Sequence, residues 1–407
     1  MDALTLSEYR TTAGVELTVE QRDLLRAVAP SIAVTPTVGR VDAYDLTPGS
    51  WIGSVHLGEL DLVVRPKVPI QQVLFLVSYA VGLGRWIDAP AALESSDSLV
   101  EAIIPGFTYQ LRRALARGVL QGYRTTDDSL QVVRGRWRIG DQVRDRFGLA
   151  PPIEVTFDEY TQDIEMNRLL RAAIAALLGL PVKDQRSTWG LRAIAAKLTD
   201  VPLVRYDPRR IPAVRYDRLT ARYRPAVELA RLILSSIAFD LEPGRVPASS
   251  FMIDMNRVFE EFIVIALREA LGVSSRVLVQ GARGRFLSLD EMQRVALKPD
   301  ISLWDGELCI FVGDVKYKRL RQDDMPNADL YQLLAYSIAA NLPGGILIYA
   351  AGEEEPALHQ VIHVGKKLET VALDISGSPQ SVLAQISNLA ARIGSVAAVR
   401  DAFARAS

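Results

Sequence analysis

The chain has 407 residues, 49% of them hydrophobic and 23% charged, which predicts two or three globular domains at roughly 100 to 200 residues each. Lysine and arginine total 47 against 48 aspartates and glutamates. This balance excludes a uniformly basic nucleic-acid coat protein but allows a local basic face. A single cysteine, Cys309, excludes an internal disulfide and a thiolate metal cage, and three scattered histidines do not suit a zinc site.

The N-terminus lacks the basic start and apolar core of a signal peptide. No apolar run reaches the roughly 18 to 20 residues that a membrane span needs. Together with the sparse use of cysteine, these features predict a soluble, cytoplasmic protein without a membrane partner.

Residues 1–95 are predicted to form a small N-terminal domain of α+β type, rich in strands. Residues 18–28 have helical spacing, and short alternating segments follow at 41–46, 51–57 and 60–65.

Residues 96–244 are predicted to form a mostly helical middle domain. The clearest helix covers 164–178, where an acidic first turn suits the positive end of the helix dipole. Gly179 and Pro181 end it, and a second helix covers 225–239.

Residues 245–407 have a different order of elements. A long helix is expected over 252–271, then strands over 297–304 and 307–318, a helix over 329–340 and a buried strand over 345–350. This order predicts a core with a central mixed sheet. The fold class of the whole chain is therefore mixed α/β.

The residues best suited to catalysis lie in this last region. Asp314 and Lys316 are two apart at the end of an apolar strand, so their side chains share a face, and Asp300 lies on the neighbouring strand. Carboxylates of this kind hold magnesium, and a nearby lysine binds phosphate or activates water. Gln332 and Tyr336 are four apart and share one face of the following helix.

An acid-x-lysine triplet arises readily by chance and is not evidence by itself. Its position at the end of a buried strand is what supports a catalytic site. The alternative interpretation, given equal weight on physical grounds, is a plain ion pair between Asp314 and Lys316 at a solvated strand end.

The set resembles the PD-(D/E)xK nuclease superfamily and its RecB-like branch. In that resemblance, Asp300 and Asp314 are the two metal-binding acids and Lys316 is the catalytic lysine. The resemblance further implies that Gln332 and Tyr336 contact the DNA backbone. It also implies a third catalytic and metal-binding acid on the preceding helix, for which Glu260 is favoured over its neighbour Glu261 and the choice stays open.

A narrower resemblance is to the McrC family. It is carried by the segments 62–67, 157–168, 256–260, 314–318 and 329–336. The resemblance implies the nuclease subunit of a McrBC-type, modification-dependent (type IV) restriction system that serves antiviral defence. Its cofactor would be Mg²⁺, its substrate double-stranded DNA, and its partner a hexameric AAA+ GTPase, McrB, through which copies of the chain could self-associate. Residues 1–95 and 96–244 would dock on the GTPase, and residues 245–407 would cleave DNA.

Two other functions compete with this interpretation. One is a non-cleaving activator or assembly subunit of an AAA+ motor with a vestigial nuclease fold, and the other is a stand-alone RecB-like repair nuclease. The chain has no Gly-x-x-x-x-Gly-Lys-Ser/Thr phosphate loop, so it is not expected to be a P-loop motor itself. Convergence of Asp300, Asp314 and Lys316 on one point would favour a nuclease.

Two basic clusters suit phosphate or an acidic partner surface, although a solvated, partly aspartate-paired surface is the favoured interpretation. One cluster is Arg134, Arg136 and Arg138. The other lies between 205 and 224, interleaves arginines with tyrosines, and includes two copies of Val-Arg-Tyr-Asp, at 204–207 and 214–217.

Strand arithmetic adds a geometric expectation. A strict two-residue loop at Asp305-Gly306 would place Asp300 opposite Phe311, on the sheet face that Asp314 does not share. A shared site therefore requires an irregularity. It is predicted as a three-residue turn around Asp305-Gly306 or a bulge near Gly313.

Overall fold

A computed structural model describes residues 3–82, 98–148, 151–182, 185–240, 247–281, 285–318, 327–350 and 357–404. The chain divides into two compact units. Unit 1 combines Met1–Asp97 with Met252–Ser407, and unit 2 is Ser98–Phe251. The predicted domain boundaries near 95 and 244 lie outside the described residues. The sequence suggests separate N-terminal and C-terminal domains, whereas these two segments form one unit, and the roles assigned to each segment stay predictions.

The N-terminal part of unit 1 contains six strands and two helices: β1 (Leu4–Ser7), β2 (Thr12–Glu16), α1 (Val19–Val28), β3 (Ala33–Pro36), β4 (Ala43–Thr47), β5 (Trp51–Leu57), β6 (Leu60–Arg65) and α2 (Ile70–Ala80). Strands β2, β4 and β3 form an antiparallel sheet in that order. Strand β1 runs parallel to β6, which pairs with β5. Helix α1 begins where Thr18 and Gln21 form a reciprocal capping box.

Unit 2 contains α3 (Leu99–Ala114), β7 (Gly122–Leu130), β8 (Arg136–Trp137), α4 (Ile139–Arg146), β9 (Ile153–Thr161), α5 (Glu165–Leu178), α6 (Gln185–Ala195), α7 (Arg224–Ser236) and β10 (Ile237–Asp240). The predicted helices at 164–178 and 225–239 correspond to α5 and α7, but residues 237–239 belong to β10 instead. The sequence patterns do not predict the long antiparallel pair β7–β9. Its strands are largely polar and exposed, so pairing defines them more than burial does.

Strand β11 (Ala248–Asp254) pairs with β10, and the division between the units falls inside β11. Unit 1 then continues with α8 (Met255–Leu271), β12 (Leu278–Val279), β13 (Leu287–Ser288), β14 (Ala296–Leu297), β15 (Ile301–Asp305), β16 (Leu308–Lys316), α9 (Asn327–Ala339), β17 (Gly344–Ala350), β18 (Ala357–Gln360), β19 (Lys367–Leu373) and α10 (Pro379–Ala404). Helix α8 starts later than predicted because residues 252–254 belong to β11, and the Asp254 side chain caps it.

Six strands of unit 1 form the sheet β12-β15-β16-β17-β19-β18. Strand β16 runs antiparallel to β15 and parallel to β17, and β17 runs parallel to β19. The predicted α/β class with a central mixed sheet is therefore confirmed. Among the described residues, no helix is both long and apolar enough to cross a bilayer.

The hairpin β15–β16 contains the irregularity that a shared site requires. Near the turn, Asp305 pairs with Leu308, whereas farther along Leu303 pairs with Phe311 and Ile301 with Gly313. The pairing skips Ile310, which is a one-residue bulge. The predicted correction of parity is thus present, but the predicted positions were wrong: the loop is not lengthened, and the bulge lies three residues before Gly313. Sequence arithmetic gives the parity of a hairpin, not the place where its pairing slips.

Candidate active site

The C-terminal end of β16 holds the two charged residues of the predicted triplet. Asp314 follows the buried run at Phe311 and Val312, and only 1% of its surface is exposed. Lys316, two residues on, is half-buried, and its Nζ lies 2.6 Å from Asp314 Oδ2. Burial is the largest single influence on the pKa of Lys316 and would lower it, but the charge and hydrogen bond of Asp314, together with the charges of Asp300 and Asp329, outweigh burial and raise the pKa. Lys316 is therefore a cation at neutral pH.

The carboxylate of Asp314 is not satisfied by this ion pair. Both of its oxygens are buried. Among the described residues, Oδ2 contacts the Lys316 ammonium and accepts no other hydrogen bond, and Oδ1 accepts none. Buried carboxylates are normally paired and hydrogen-bonded, because an isolated one loses its hydration without compensation. A solvated strand-end ion pair, the alternative considered for this pair, does not describe a side chain that is 1% exposed.

Asp300 is the residue before β15 and points to the same strand end. Its Oδ2 accepts a 2.9 Å hydrogen bond from the backbone N–H of Val315, between Asp314 and Lys316. Burial, followed by the charges of Asp314 and Glu260, raises the pKa of Asp300 to about 8. The structure therefore gathers three carboxylates whose charges repel one another, with Lys316 as a partly compensating cation.

Glu260 and Glu261 on α8 face different surroundings. Glu260 Oε1 accepts a 2.8 Å hydrogen bond from Gln280 Nε2, while Glu261 pairs with the exposed Arg257 one turn earlier. Burial is the main cause that raises the pKa of Glu260, and the charges of Glu261 and Asp314 add to it. The geometry thus favours Glu260 as the acid that belongs to the site.

The predicted DNA contacts, Gln332 and Tyr336, form a hydrogen-bonded chain behind Lys316. Lys316 Nζ donates to Gln332 Oε1 at 3.3 Å, and Gln332 Nε2 donates to Tyr336 OH at 2.6 Å. Tyr336 OH donates in turn to the carbonyl of Lys298 at 3.2 Å, two residues before Asp300. Tyr336 is buried, so the chain links α9 to both sides of the site. The DNA contact itself stays a prediction.

The carboxylates of the site can be compared with what a magnesium ion requires. Within the described ranges, no three His, Cys, Asp or Glu side chains surround a common point that would hold a metal ion. Magnesium, however, is usually held by one or two carboxylates, with water and substrate phosphate as its other ligands. Asp314, whose buried Oδ1 accepts no hydrogen bond among the described residues, and Asp300 fit that requirement. Glu260, held by Gln280, suits a place behind a metal-bound water better than a direct ligand.

Residues that the sequence patterns missed support this site. Gln280, at the end of the β12 segment, orients Glu260. Asp329 in α9 accepts a 2.8 Å hydrogen bond from Tyr349 and lies 2.7 Å from Lys318 Nζ, two residues beyond Lys316. Lys318 ends the motif segment 314–318, and Asp329 begins the segment 329–336. The sequence therefore shows both residues within motifs, but it does not show that they form an ion pair.

The first basic cluster does not form a free arginine stripe. Arg134 stacks on Phe157 with its guanidinium 4.2 Å from the ring centre, and Arg138 pairs with Asp127 and Asp141. These contacts favour the structural interpretation of this cluster.

The second cluster is more exposed. In both Val-Arg-Tyr-Asp copies the tyrosine hydroxyl donates to a glutamate: Tyr206 to Glu165 at 2.7 Å and Tyr216 to Glu228 at 2.8 Å. The aspartates bind backbone N–H groups of their own turns. We call the segment between 205 and 224 the arginine ribbon. In the part of the chain that the structure describes, five of its exposed arginines make no ion pair: Arg205, Arg209, Arg210, Arg215 and Arg218. The expected aspartate pairing is absent there.

The fold and the site define a mixed α/β protein with an acid-x-lysine strand end, a second aspartate from the neighbouring hairpin strand, and a Gln-x-x-x-Tyr helix behind them. Residues 46–350 match the family model described as McrBC 5-methylcytosine restriction system component. The chain belongs to this McrBC family, and the resemblance inferred from its sequence motifs is confirmed. Comparison with curated proteins gives no match.

Two solved structures are similar to this chain. A chain in the refined half-complex from the tetradecameric assembly of Thermococcus gammatolerans McrB AAA+ hexamers with bound McrC is 17% identical, with a TM-score of 0.57. That match covers 95% of this chain and 100% of the other, and it supports the fold. The cryo-EM structure of the Thermococcus gammatolerans McrBC complex gives 18% identity and a TM-score of 0.43, covering 66% of this chain and 88% of the other.

Proposed function

We propose that this chain is the Mg²⁺-dependent DNA endonuclease subunit of a McrBC-type restriction system. The observation that carries the proposal is the buried carboxylate of Asp314. Among the described residues its Oδ1 accepts no hydrogen bond and its Oδ2 contacts only the Lys316 ammonium, although Asp300 and Glu260 lie near enough to repel it. Such an arrangement is costly in a purely structural role, and a hard divalent cation would compensate it.

Asp300 and Asp314 would hold the magnesium ion, and Glu260 would assist by orienting water. When bound, magnesium would polarise the scissile phosphate and lower the pKa of an attacking water. Lys316, a cation at neutral pH, would stabilise the negative charge that develops on the phosphate oxygens. Gln332 would keep the Lys316 ammonium at the strand end, and Tyr336 would fix Gln332.

The partner would be a hexameric AAA+ GTPase of the McrB type. Two findings support this: the family membership of the chain, and its similarity to a chain from an assembly of McrB AAA+ hexamers with bound McrC. Unit 2 and the N-terminal segment of unit 1 would carry the docking surfaces, and the substrate would be double-stranded DNA in the cytoplasm.

The test is cleavage of methylated plasmid DNA by the full-length chain, with and without its McrB-type GTPase, in Mg²⁺ or in EDTA. Asp314→Asn preserves the shape of the side chain but removes its charge, so it should abolish cleavage while GTPase stimulation persists. The control is Asp374→Asn, which removes an aspartate charge from the same unit outside the site, where the carboxylate accepts hydrogen bonds from Ser376.

Cleavage that survives both EDTA and Asp314→Asn would contradict the proposal. Stimulation of the GTPase by a chain that never cleaves DNA would instead favour the non-cleaving activator. Cleavage that needs no GTPase would favour a stand-alone nuclease.

A further inference from the structure

A closed polar cluster joins the N-terminal segment of unit 1 to the end of β16. Tyr317 follows Lys316, and its hydroxyl donates to Glu8 Oε1 at 3.2 Å. The same carboxylate oxygen accepts the backbone N–H of Lys67. Lys67 Nζ donates to the Tyr317 carbonyl at 3.2 Å and lies 3.5 Å from the centre of the Tyr317 ring. Glu8 therefore binds the hydroxyl of Tyr317 and Lys67 binds its backbone carbonyl, although both are far from Tyr317 in sequence.

Tyr317 is placed to pass this constraint to the candidate site. Tyr317 directly follows Lys316, the last residue of β16, so the cluster holds the residue next to the catalytic lysine candidate. The Tyr317 ring also packs against Phe259, with ring centres 5.8 Å apart. Phe259 directly precedes Glu260, so the cluster touches the immediate neighbours of both Lys316 and Glu260.

The N-terminal segment makes a second connection, to the first turn of α8. Tyr9 OH donates to Asn256 Oδ1 at 2.9 Å, and Lys67 Nζ also lies 5.5 Å from the Tyr9 ring centre. Ser50 Oγ donates to the capping residue Asp254 at 2.8 Å. The N-terminal segment thus fixes the start of the helix that carries Glu260 and the end of the strand that carries Lys316.

The cluster is polar where apolar packing would hold the segments together at lower cost. Glu8 is 6% exposed, and its Oε2 accepts no hydrogen bond from any described residue. Burial raises the pKa of Glu8, against the opposing influence of Lys67 and Tyr317. A buried ionic group adds directional contacts rather than net stability, and directional contacts fix the orientation of a strand end.

We propose that Lys67 and Glu8 are positioning residues for the candidate nuclease site and act through Tyr317 on Lys316. This inference rests on the proposed nuclease function for its catalytic consequence only. It assigns to the N-terminal segment a part in the chemistry, besides any part in docking.

The test compares Lys67→Met, Lys67→Arg and a matched control, Lys366→Met, in the full-length chain. Lys366 is also half-buried, and its shorter hydrogen bond, 2.6 Å, is to the carbonyl of Leu342, before the start of β17, whereas Asp314 and Lys316 pair with the later part of that strand. A longer contact, 3.4 Å, is to the carbonyl of Ser337 in α9. Replacing either lysine with methionine removes an ammonium group that donates to backbone carbonyls. A general loss of stability would therefore affect both variants alike.

Two readouts are needed. The first is kcat and KM for DNA cleavage with the GTPase present. The second needs no cleavage. The chain has eight lysines, so the ¹³C-labelled side-chain resonance of Lys316 can be assigned by its loss in Lys316→Arg, and its chemical shift can be compared between variants.

Lys67→Met should lower kcat about tenfold with KM nearly unchanged, and should shift the Lys316 resonance. Lys67→Arg should recover most of the rate, because a guanidinium can donate to the Tyr317 carbonyl and stack on its ring. Lys366→Met should leave both readouts as in the wild type. If Lys67→Met does not fold, Tyr317→Phe, which removes only the hydroxyl bond to Glu8, takes its place with a smaller shift in the same direction.

A wild-type rate together with an unmoved Lys316 resonance in Lys67→Met would overturn the inference. If the wild-type chain does not cleave DNA at all, the proposed function fails, and the resonance alone decides this inference. A shift confined to Lys67 variants would support it, and no shift would overturn it.

Discussion

The backbone N–H of Val315 donates a 2.9 Å hydrogen bond to the side chain of Asp300, which ties the start of one hairpin strand to the end of the other. Val315 lies between Asp314 and Lys316, so this bond fixes Asp300 beside both. The bulge at Ile310 makes it possible, because without the slipped pairing Asp300 would lie on the other face of the sheet.

The hydrogen-bonded chain behind Lys316 predicts how Tyr336 contributes. Tyr336→Phe removes the hydroxyl that joins Gln332 to the Lys298 carbonyl. We expect kcat to fall roughly tenfold and stability to fall by about 1 kcal/mol, while the Kd for DNA in Ca²⁺ stays unchanged. Single-turnover cleavage and DNA titration measure the two quantities. A weakened Kd with an unchanged rate would instead assign Tyr336 to direct DNA contact.

Two glycines in unit 1 should respond oppositely to alanine. A Cβ on Gly344 would overlap the carbonyl oxygen of Lys367 on the paired strand β19. Gly344→Ala should therefore destabilise the chain by about 2 kcal/mol or more. Gly394 lies within α10 with nothing within 4 Å of its Cβ position, so Gly394→Ala should stabilise by about 0.5–1 kcal/mol. Urea unfolding measures both, and a loss of stability in both variants would contradict the assignment of Gly394 to an unobstructed helix position.

The anchored tyrosines of unit 2 predict the behaviour of the arginine ribbon. Tyr216→Phe removes the hydrogen bond to Glu228 and should cost about 1 kcal/mol. Exchanging Arg205 and Arg215 for glutamate should leave stability nearly unchanged, because neither makes an ion pair within the described residues.

If the ribbon binds phosphate, that double variant should weaken DNA binding and lower its salt dependence. Arg144→Glu is the control, since Arg144 is exposed but already pairs with Asp141 and Asp145. Unchanged DNA binding together with weaker GTPase binding would assign the ribbon to an acidic protein surface.

Glu8 predicts a pH dependence of stability. Because burial raises the pKa of Glu8, the folded chain keeps a proton that the unfolded chain loses between the ordinary and the raised value. This contribution to the free energy of unfolding therefore falls as pH rises through that window and levels off above it. Urea unfolding in EDTA, from about pH 4 to about pH 8, should show the fall in the wild type and a smaller fall in Glu8→Gln. Parallel curves for the two proteins would show that Glu8 does not titrate in this way.

The division into units predicts which fragments fold. Fragment 98–251 matches unit 2 and should show a cooperative thermal transition on its own. Fragment 1–240 separates the N-terminal segment from Asn256 and Tyr317, which its residues Tyr9 and Glu8 contact. It should therefore keep the transition of unit 2 but lose order at its N-terminus. Circular dichroism and amide exchange distinguish these outcomes, and a fully ordered N-terminus in fragment 1–240 would contradict the role of these contacts.

Local pattern in the sequence determined the class of fold, the helices α5, α7 and α9, and the residues of the candidate site. These features depend on periodicity and on motif order, which neighbouring residues carry. Asp314 and Lys316 were predictable for this reason, since two positions on one strand must share a face.

Only the tertiary structure decided what holds those residues in place. The bulge at Ile310, the hydrogen bond between Gln280 and Glu260, the link from Tyr336 to Lys298 and the Glu8–Lys67 cluster all depend on contacts between residues far apart in the chain. A bulge at any of several positions in a hairpin would bring the same residues onto one face, so the sequence does not fix its place. The hydrogen-bond partner of a polar side chain is likewise set only when distant parts of the chain pack together. The sequence therefore specified the chemical groups, and long-range packing selected their positions and partners.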